Sequence, residues 1–557
     1  MVRGDSAEEA LIERAAELVR AHHIASEADI RPLFEDPPPN ADAGSLKRLR
    51  QMYEAGGWVL VESALADLPA DLRWLFESGS VTLDQLAAIH RSYGATSAAD
   101  LAAAVREQAL RTLPGFDAAV EAAVEAALPT LRASIPRIPL GRATGIARPI
   151  LELLRAQAGV RWALPAGSLR RGQDLVGDIV IVAPAADPAP IIAELLELPD
   201  APHCLHRSPR RLCLRTDRAQ LAVRVPEPAN AGATLLYLTG SAGHFEALRA
   251  HAAIRNWRLT AGGLFALDGT LHPAETEEDI YGTLGLPVIP PEIRNGEEEI
   301  RAALAGTLPT LVSRDDIRGD LHMHTMWSDG VDSVASMVEA CRTLGYQYMA
   351  ITDHSPHSAA TRNLTADGAT RQAEEIAALR EQFPDIVILH GCEVDILPNG
   401  QLDFPDRILQ RFDIVLASLH ERAGQSPEQL MRRYTSAMKH PLVTLVSHPT
   451  NRLIPHRRGY DLDYGRLFDT AVQTRTAVEI DGAPVHLDLD GALARQAIAA
   501  GAAVAISSDG HRAEMLGRQM EFGLLTARRG WAEPRHVLNT RPIDDVRTFI
   551  AAKRGAG

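Results

Sequence analysis

Residues 319–330 read GDLHMHTMWSDG, with two histidines and two aspartates set around a Met-Trp pair and a glycine at each end. Residues two apart on a strand project to the same face, so His322 and His324 are expected to point together. With 20 histidines in 557 residues, chance alone supplies roughly 0.7 such H-x-H pairs. The pair gains meaning from its neighbours along the chain. Six further short apolar runs alternate with amphipathic helical stretches: YQYMAITDH, IVILHGCE, DIVLASLH, LVTLVSH, TAVEID and AAVAISSDGH. That alternation is the pattern of a parallel-sheet α/β fold. All the runs but one end in a cluster containing His or Glu, and TAVEID ends at Asp481. In a barrel of parallel strands the carboxyl ends share one rim, where chemistry in such barrels sits. The polar ends are therefore expected to converge, and so many nitrogen and carboxylate donors would be costly to bury without a cation.

A chain of 557 residues exceeds what one core usually serves, so several domains are expected. The net charge of -15 excludes uniform coating of nucleic acid, because such binding rests on Lys and Arg neutralising phosphates. Residues 203–258 nevertheless hold nine Arg against three acidic residues, which reads either as a phosphate-contact surface or as a solvated face. No stretch reads as a signal peptide, and none approaches the roughly 18 apolar residues of a spanning helix, so a cytoplasmic chain without membrane partners is expected. Cys204, Cys213, Cys341 and Cys392 are too scattered for a zinc knuckle and read as reduced.

Three regions are expected. Residues 1–145 read as helical, through EEALIERAAELVRAHH and DAAVEAAVEAAL, broken by EDPPPNADAG and TLPGF. Residues 146–305 are mixed α/β, with strands at VGDIVIVA, RLCLRT and QLAVRV around the helix PAPIIAELLEL. Residues 315–557 carry the alternating runs, after a joint at GTLPTLVSRDD.

The stretches DLHMHTMWSDG, ITDHSPH, GCEVDIL, SLH, SHPTNRLI and SSDGH resemble the motifs of the polymerase and histidinol phosphatase (PHP) domain, in the form fused to the C-terminus of bacterial family X DNA polymerases. The resemblance implies a distorted (β/α)7 barrel holding three divalent ions, zinc or manganese and in some cases iron, with no organic cofactor. Its implied metal ligands are His322, His324, Asp329, His354, Glu393, His420, His448, Asp509 and His511, with Glu393 bridging two ions. Adjacent divalent ions activate water and orient a phosphoester, so hydrolysis of a phosphoester is the implied reaction. His322, His324, Glu393 and Asp509 would stand closest to it. Asp353 would orient an imidazole or cap a strand end. Arg452, His456, Arg457 and Arg458 would hold substrate phosphate or form an exposed basic loop, as would His357. Asp481 reads as a supporting carboxylate or as a turn residue with Gly482.

PAGSLRRGQDLVGDIVIVA (165–183) resembles the nucleotidyltransferase palm of family X polymerases, where Gly167, Ser168 and Arg171 correspond to triphosphate-binding positions and Arg170 adjoins them. YLTGSAGHFEALR, GGLF and EEDIYGTLGLPVIPPEIR resemble the later palm and thumb. Nucleotidyl transfer needs two magnesium ions held by an Asp-x-Asp on one strand and a third Asp on its neighbour. Here the strand reads Asp178-Ile179-Val180, and Ala222 stands at the third position, with Asp217 nearby in sequence. Polymerase activity is therefore expected to be absent or very weak. The helix-hairpin-helix elements implied for residues 1–145 are eroded in TLPGFDAAVEAAV and SGSVTLDQLAAIH, and Lys47 is the only lysine before residue 439, so lyase chemistry there would depend on it. Together these readings anticipate a metal-dependent nuclease of DNA repair, a 3'-5' exonuclease or abasic-site endonuclease, acting on gapped, single-stranded or 3'-ended DNA. A phosphatase for a small phosphate ester and a non-catalytic DNA-binding scaffold are the alternatives.

Overall fold

In the computed structural model the described residues are 42–47, parts of 72–134, and 137–555 apart from 199–202, 217–218, 359, 361 and 421–424. The chain divides into two units, Met1–Ile135 and Pro136–Gly557. In the first, helices Leu83–Ala88, Ala98–Arg106 and Ala118–Ser134 contribute Leu86, Leu101, Ala104, Val124 and Leu128 to one small core. Thr82 and Gln85 form a reciprocal capping box that starts the Leu83–Ala88 helix. The Gln85 side-chain amide also donates to the Gly115 carbonyl at 2.9 Å, joining the two eroded hairpin stretches. Lys47 is exposed. The expected helix at EEALIERAAELVRAHH lies outside the described residues.

The second unit begins with a five-stranded sheet in the order Leu164–Pro165, Ile179–Val182, Ala219–Arg224, Arg211–Thr216, His203–Ser208. Helices Leu140–Ala156 and Ala189–Leu196 pack on it through Leu140, Ala147, Leu154, Ile191 and Leu195. Because the Leu140–Ala156 helix belongs to this core, the break falls before Pro136 and not at the expected 145/146. A smaller layer comes next, in which helices Ala231–Thr239, Ala242–Ile254 and Glu277–Thr283 cover a three-stranded sheet through Phe245, Leu248, Leu259 and Tyr281.

All seven apolar runs form strands of one parallel sheet in sequence order: Gly319–Asp320, Tyr348–Ile351, Val387–Asp395, Ile414–Ser418, Leu445–Val446, Ala477–Asp481 and Val504–Ser507. The sheet curls into a nearly closed barrel, with the last gap spanned by a bridge between Met323 and Gly510 and by the His324 N–H donating to the Gly510 carbonyl at 2.9 Å. Strands buried on both faces have no polar side, which is why these runs read as continuous apolar stretches. Met349, Ile351, Ile388, Val415, Val478 and Ile480 face the surrounding helices. Tyr348, Ala350, Leu389, Ile414, Leu416 and Ala477 fill the interior, where Val546 and Ile550 of the C-terminal helix Ile543–Arg554 join them.

The glycines at either end of the opening stretch are both forced by close approach. A Cβ on Gly319 would meet the Tyr348 ring and carbonyl at 2.3 Å, and one on Gly330 would meet the His324 carbonyl oxygen at 2.4 Å. The first strand stops at Asp320, so His322 and His324 sit in the extended segment beyond it and not on the strand itself. Ile454, Leu487 and Phe522 from the barrel region enter the core of the palm sheet, and both lie within Pro136–Gly557. Cys213, Cys341 and Cys392 are buried and free. Among the described residues no helix is long and apolar enough to cross a membrane.

Candidate metal centre

Strand alternation builds the rim. Glu393 and Asp395 follow Leu389 and Gly391 on the inward face of the third strand, Ser418 follows Leu416 on the fourth, and Glu479 and Asp481 follow Ala477 on the sixth. Two ligand candidates depart from that regularity: His448 and Asp509 lie just past their strands at φ 26° and 49°, in the left-handed region that non-glycine residues rarely enter. Such strain persists where surrounding structure enforces it, as at functional sites.

Glu393, fully buried, stands at the middle. Its Oε2 lies 2.9 Å from His354 Nδ1, 3.5 Å from His322 Nε2 and 3.6 Å from His324 Nε2. Its Oε1 faces the other way, 2.8 Å from His448 Nε2 and 3.7 Å from His420 Nε2, and accepts the Ser447 hydroxyl at 2.8 Å. The Nε2 atoms of His322 and His324 approach to 3.0 Å. Asp329 Oδ1 lies 3.4 Å from His511 Nε2 and 3.5 Å from His354 Nε2, and Asp509 Oδ1 lies 3.2 Å from His324 Nε2. Ligand atoms of His324, Asp329, His354 and His511 fall within 4.8 Å of one another, as do those of His322, His324 and Asp509, and of His354, Glu393 and His420. His448 falls outside these groups and joins them through Glu393 Oε1. The structure thus brings together all nine residues that the resemblance implies as ligands.

These residues fit divalent cations. Glu393 Oε2, Asp509 Oδ1, His354 Nδ1 and His448 Nδ1 are buried and none is aligned for a hydrogen bond, although Glu393 Oε2 and His354 Nδ1 stand 2.9 Å apart. Leaving such groups unsatisfied is costly, and buried polar atoms are nearly always paired. The electrostatics agree. Burial and the neighbouring His354 and His511 hold His324 down to about 3. Burial also works against charge on His354, but Glu393 and Asp329 outweigh it and push that imidazole up to about 10. Glu393 itself, despite its burial, is held well below the usual range by His322, His420, His354 and His448. Protons shared in this way are what bound cations displace.

Two acidic residues that the sequence reading passed over hold the histidines from behind. His322 Nδ1 donates to Glu479 Oε1 at 2.8 Å, which leaves Nε2 as the ligating atom, and Glu479 Oε2 accepts the His448 N–H at 2.8 Å. His420 Nδ1 pairs with Asp395 Oδ1 at 3.0 Å. Both were open to discovery from strand alternation alone, Asp395 two residues after Glu393 and Glu479 two before Asp481.

The sequence offers Asp353 as an orienter of an imidazole or as a strand-end cap, and its bonds go to the turn after the first strand and to a helix. It accepts the Thr325 N–H and hydroxyl at 2.8 and 2.7 Å, the Ser328 hydroxyl at 2.6 Å and the Gln372 amide at 2.6 Å, fixing the turn that carries His324 toward Asp329. Arg452 was read as a phosphate contact or part of an exposed loop. Its guanidinium instead bonds the palm residue Asp174 at 2.8 Å and the carbonyls of His486 and Leu487. Arg457 bonds the carbonyl and side chain of Asn451. His456, Arg458 and His357 are exposed. Asp481 is buried, and burial together with Asp509 and Glu479 pushes its carboxyl well above the usual range.

In the palm, Val180 and Ala222 are register partners on adjacent parallel strands and pack with Cys213. Gly167 and Ser168 open a short helix, Gly167–Arg170, and Arg171 follows it and bonds the Thr239 carbonyl. Arg170 makes two bonds to Glu277, at 2.8 and 2.9 Å, so its fork is already occupied. In the basic stretch 203–258, Arg210 bonds the Ala185 and Val225 carbonyls and Arg224 is buried, so part of that charge is structural.

The DNA polymerase beta thumb model matches residues 234–295, and the PHP domain model matches residues 320–475. The DNA polymerase/3'-5' exonuclease PolX of Bacillus subtilis (strain 168) is 34% identical over 511 residues, 91% of this chain and 89% of that protein. A probable phosphatase of Caldanaerobacter subterraneus subsp. tengcongensis is 30% identical over 247 residues, 42% of this chain and 91% of that one. A solved histidinol phosphate phosphatase from Lactococcus lactis is 18% identical and covers 38% of this chain and 93% of that chain, at a TM-score of 0.30. A match to the PolX relative along nearly the whole length, together with the two domain matches on the thumb layer and the barrel, means that this chain belongs to the family X DNA polymerases that carry a C-terminal PHP domain.

Proposed function

We propose that the chain is a metal-dependent nuclease of the 3'-5' exonuclease type, working on gapped, single-stranded or 3'-ended DNA in the cytoplasm, with its polymerase activity lost. The observation that carries this reading is Glu393, a buried carboxylate whose two oxygens face two separate sets of histidines. The nine donors would hold three ions, zinc or manganese, with Glu393 bridging. Bound there, the ions would lower the pKa of a coordinated water and take up charge growing on phosphate oxygens.

The chain's own side chains prepare that chemistry. Glu479 sets the tautomer of His322 and ties it to the backbone of His448, so two ligands share one support. Asp395 does the same for His420. Ser447 fixes the plane of Glu393 by donating to Oε1. Asp353 holds the turn between His324 and Asp329, a positioning role and not a catalytic one.

DNA is favoured as the substrate by the palm packed against the barrel and by the relative named as polymerase and exonuclease along nearly the whole chain. Loss of polymerisation rests on Val180 and Ala222, the paired apolar residues where two carboxylates would be needed. The probable phosphatase relative supports a second reading, hydrolysis of a small phosphate ester by the barrel alone. Manganese-replete protein given a 3'-recessed duplex and a panel of phosphorylated metabolites separates the two. Shortening of the duplex from its 3' end, absent in His322→Ala, is the expected result. Phosphate release from the panel with an intact duplex would overturn the nuclease reading.

A further inference from the structure

Beside the nine donors, a second convergence involves two residues outside that set. Asp481, His486 and Asp509 each offer a ligand atom, and these atoms lie within 4.8 Å of one another. Asp481 ends the sixth barrel strand with no exposed surface, and His486 sits half-buried in the segment just beyond it.

Both are aimed from behind. The Ala483 N–H donates to Asp481 Oδ1 at 2.6 Å, and the other oxygen, Oδ2, is buried with no hydrogen-bond partner. His486 Nδ1 lies 2.9 Å from the Arg452 carbonyl oxygen. A carbonyl only accepts, so Nδ1 carries the proton and Nε2 keeps its lone pair. That backbone-anchored imidazole is the arrangement found behind ligating histidines. The His486 ring also stacks on His448, with centroids 5.6 Å apart, so it stands at the edge of the metal centre.

Two buried carboxylates this close repel, and an unpaired buried oxygen is costly. A proton shared between Asp481 and Asp509 would relieve the repulsion but would leave the His486 lone pair unused. A divalent cation satisfies all three groups. We propose that Asp481, His486 and Asp509 form a further divalent-cation site adjoining the three-ion centre, with Asp509 shared between them. The site rests on the reading of that centre only through Asp509. Two carboxylate oxygens and one imidazole nitrogen suit manganese or zinc and disfavour calcium and magnesium, which take all-oxygen sets. Three protein donors leave coordination positions for water or a phosphate oxygen.

The test is metal stoichiometry on the full chain, by equilibrium dialysis against manganese(II) alone and then elemental analysis. Asp481→Asn and His486→Gln remove different donors of the set, and circular dichroism with urea midpoints separates a folding defect in either from loss of the site. Each variant is expected to hold one equivalent fewer than the parent protein and to keep the others. Equal stoichiometry in the parent and both folded variants overturns the added site, assigns the carboxylate pair to a shared proton and leaves the three-ion reading standing. A parent protein that binds no manganese overturns both.

Discussion

Val180 lies directly opposite Ala222 in the parallel pairing of strands Ile179–Val182 and Ala219–Arg224. In family X polymerases the corresponding positions carry carboxylates that clamp two hard cations against the triphosphate. Here both are apolar and pack with Cys213, so Asp178 has no acidic residue at either position to share a cation with. A single carboxylate cannot replace the set. Primer extension with magnesium or manganese is therefore expected to show no incorporation above that of Asp178→Ala. Robust incorporation that disappears in that variant would mean that the palm site is active through Asp178 and would overturn the loss of polymerisation.

Glu479 and His322 make different contributions to the same centre, and kinetics can tell them apart. His322→Ala removes a donor and is expected to bring hydrolysis of bis-p-nitrophenyl phosphate to background at any manganese concentration. Glu479→Gln leaves both donors in place but keeps only one acceptor oxygen for His322 Nδ1 and the His448 backbone N–H, and is expected to weaken metal affinity by roughly 10–100-fold. Saturating manganese should restore most of its rate. If Glu479→Gln requires no more manganese than the parent protein, the anchoring role is wrong.

The seven strands and their order were readable because each strand is buried on both faces, and continuous apolar runs alternating with amphipathic helices have few other uses. Most of the nine donors stand at or near the end of a run, but the set as a whole, Asp329 included, was legible only through the resemblance to the PHP motifs. The supporting residues were harder. Asp353 sits next to a ligand in sequence and so looked like a partner for an imidazole, yet its bonds go to Thr325, Ser328 and Gln372, far away along the chain. Arg452 looked like a free cation near the rim because sequence does not display Asp174, which lies 278 residues earlier. The union of palm and barrel was hidden for the same reason, since Ile454, Leu487 and Phe522 complete a core whose other members lie in the palm.

Arg452 and Asp174 supply a test of that union. Asp174 Oδ2 takes Arg452 at 2.8 Å while Oδ1 takes Arg529, so one palm carboxylate restrains two segments of the barrel region. The group is largely buried, which protects it from the screening that makes surface pairs weak. Asp174→Asn is expected to cost about 1.5–3 kcal/mol, the range for hydrogen bonds to charged groups, read as a shift of the urea midpoint. A double-mutant cycle with Arg452→Gln should return a coupling of about 0.5–3 kcal/mol. KM for a small diester should change little in either variant, because the Arg452 guanidinium is spent on Asp174 and two carbonyls. A large rise in KM with unchanged stability would restore Arg452 to a substrate-binding role.

Glu277 should give the palm and thumb layers a distinctive acid response. Its carboxylate receives two bonds from Arg294, both at 2.8 Å, and two from Arg170, at 2.8 and 2.9 Å, and it is almost wholly buried. Burial raises its pKa, but Arg294 and Arg170 outweigh burial and hold the folded value at about 2. The unfolded chain has an ordinary glutamate near about 4.3. A folded pKa below the unfolded one means that the unfolded state binds the proton first as pH falls. The stabilisation is then fully present above about pH 4.3 and fades as pH drops through about 2, amounting to roughly 3 kcal/mol at neutrality. Glu277→Gln is expected to be less stable than the parent protein at pH 7, because the buried Arg294 and the half-buried Arg170 lose their countercharge. The gap between the two should narrow steadily below about pH 4.3, measured as urea midpoints across a pH series. A gap that stays constant down to the acid limit would show that the arginines do not hold the Glu277 carboxylate ionised, and that shape alone accounts for the contact.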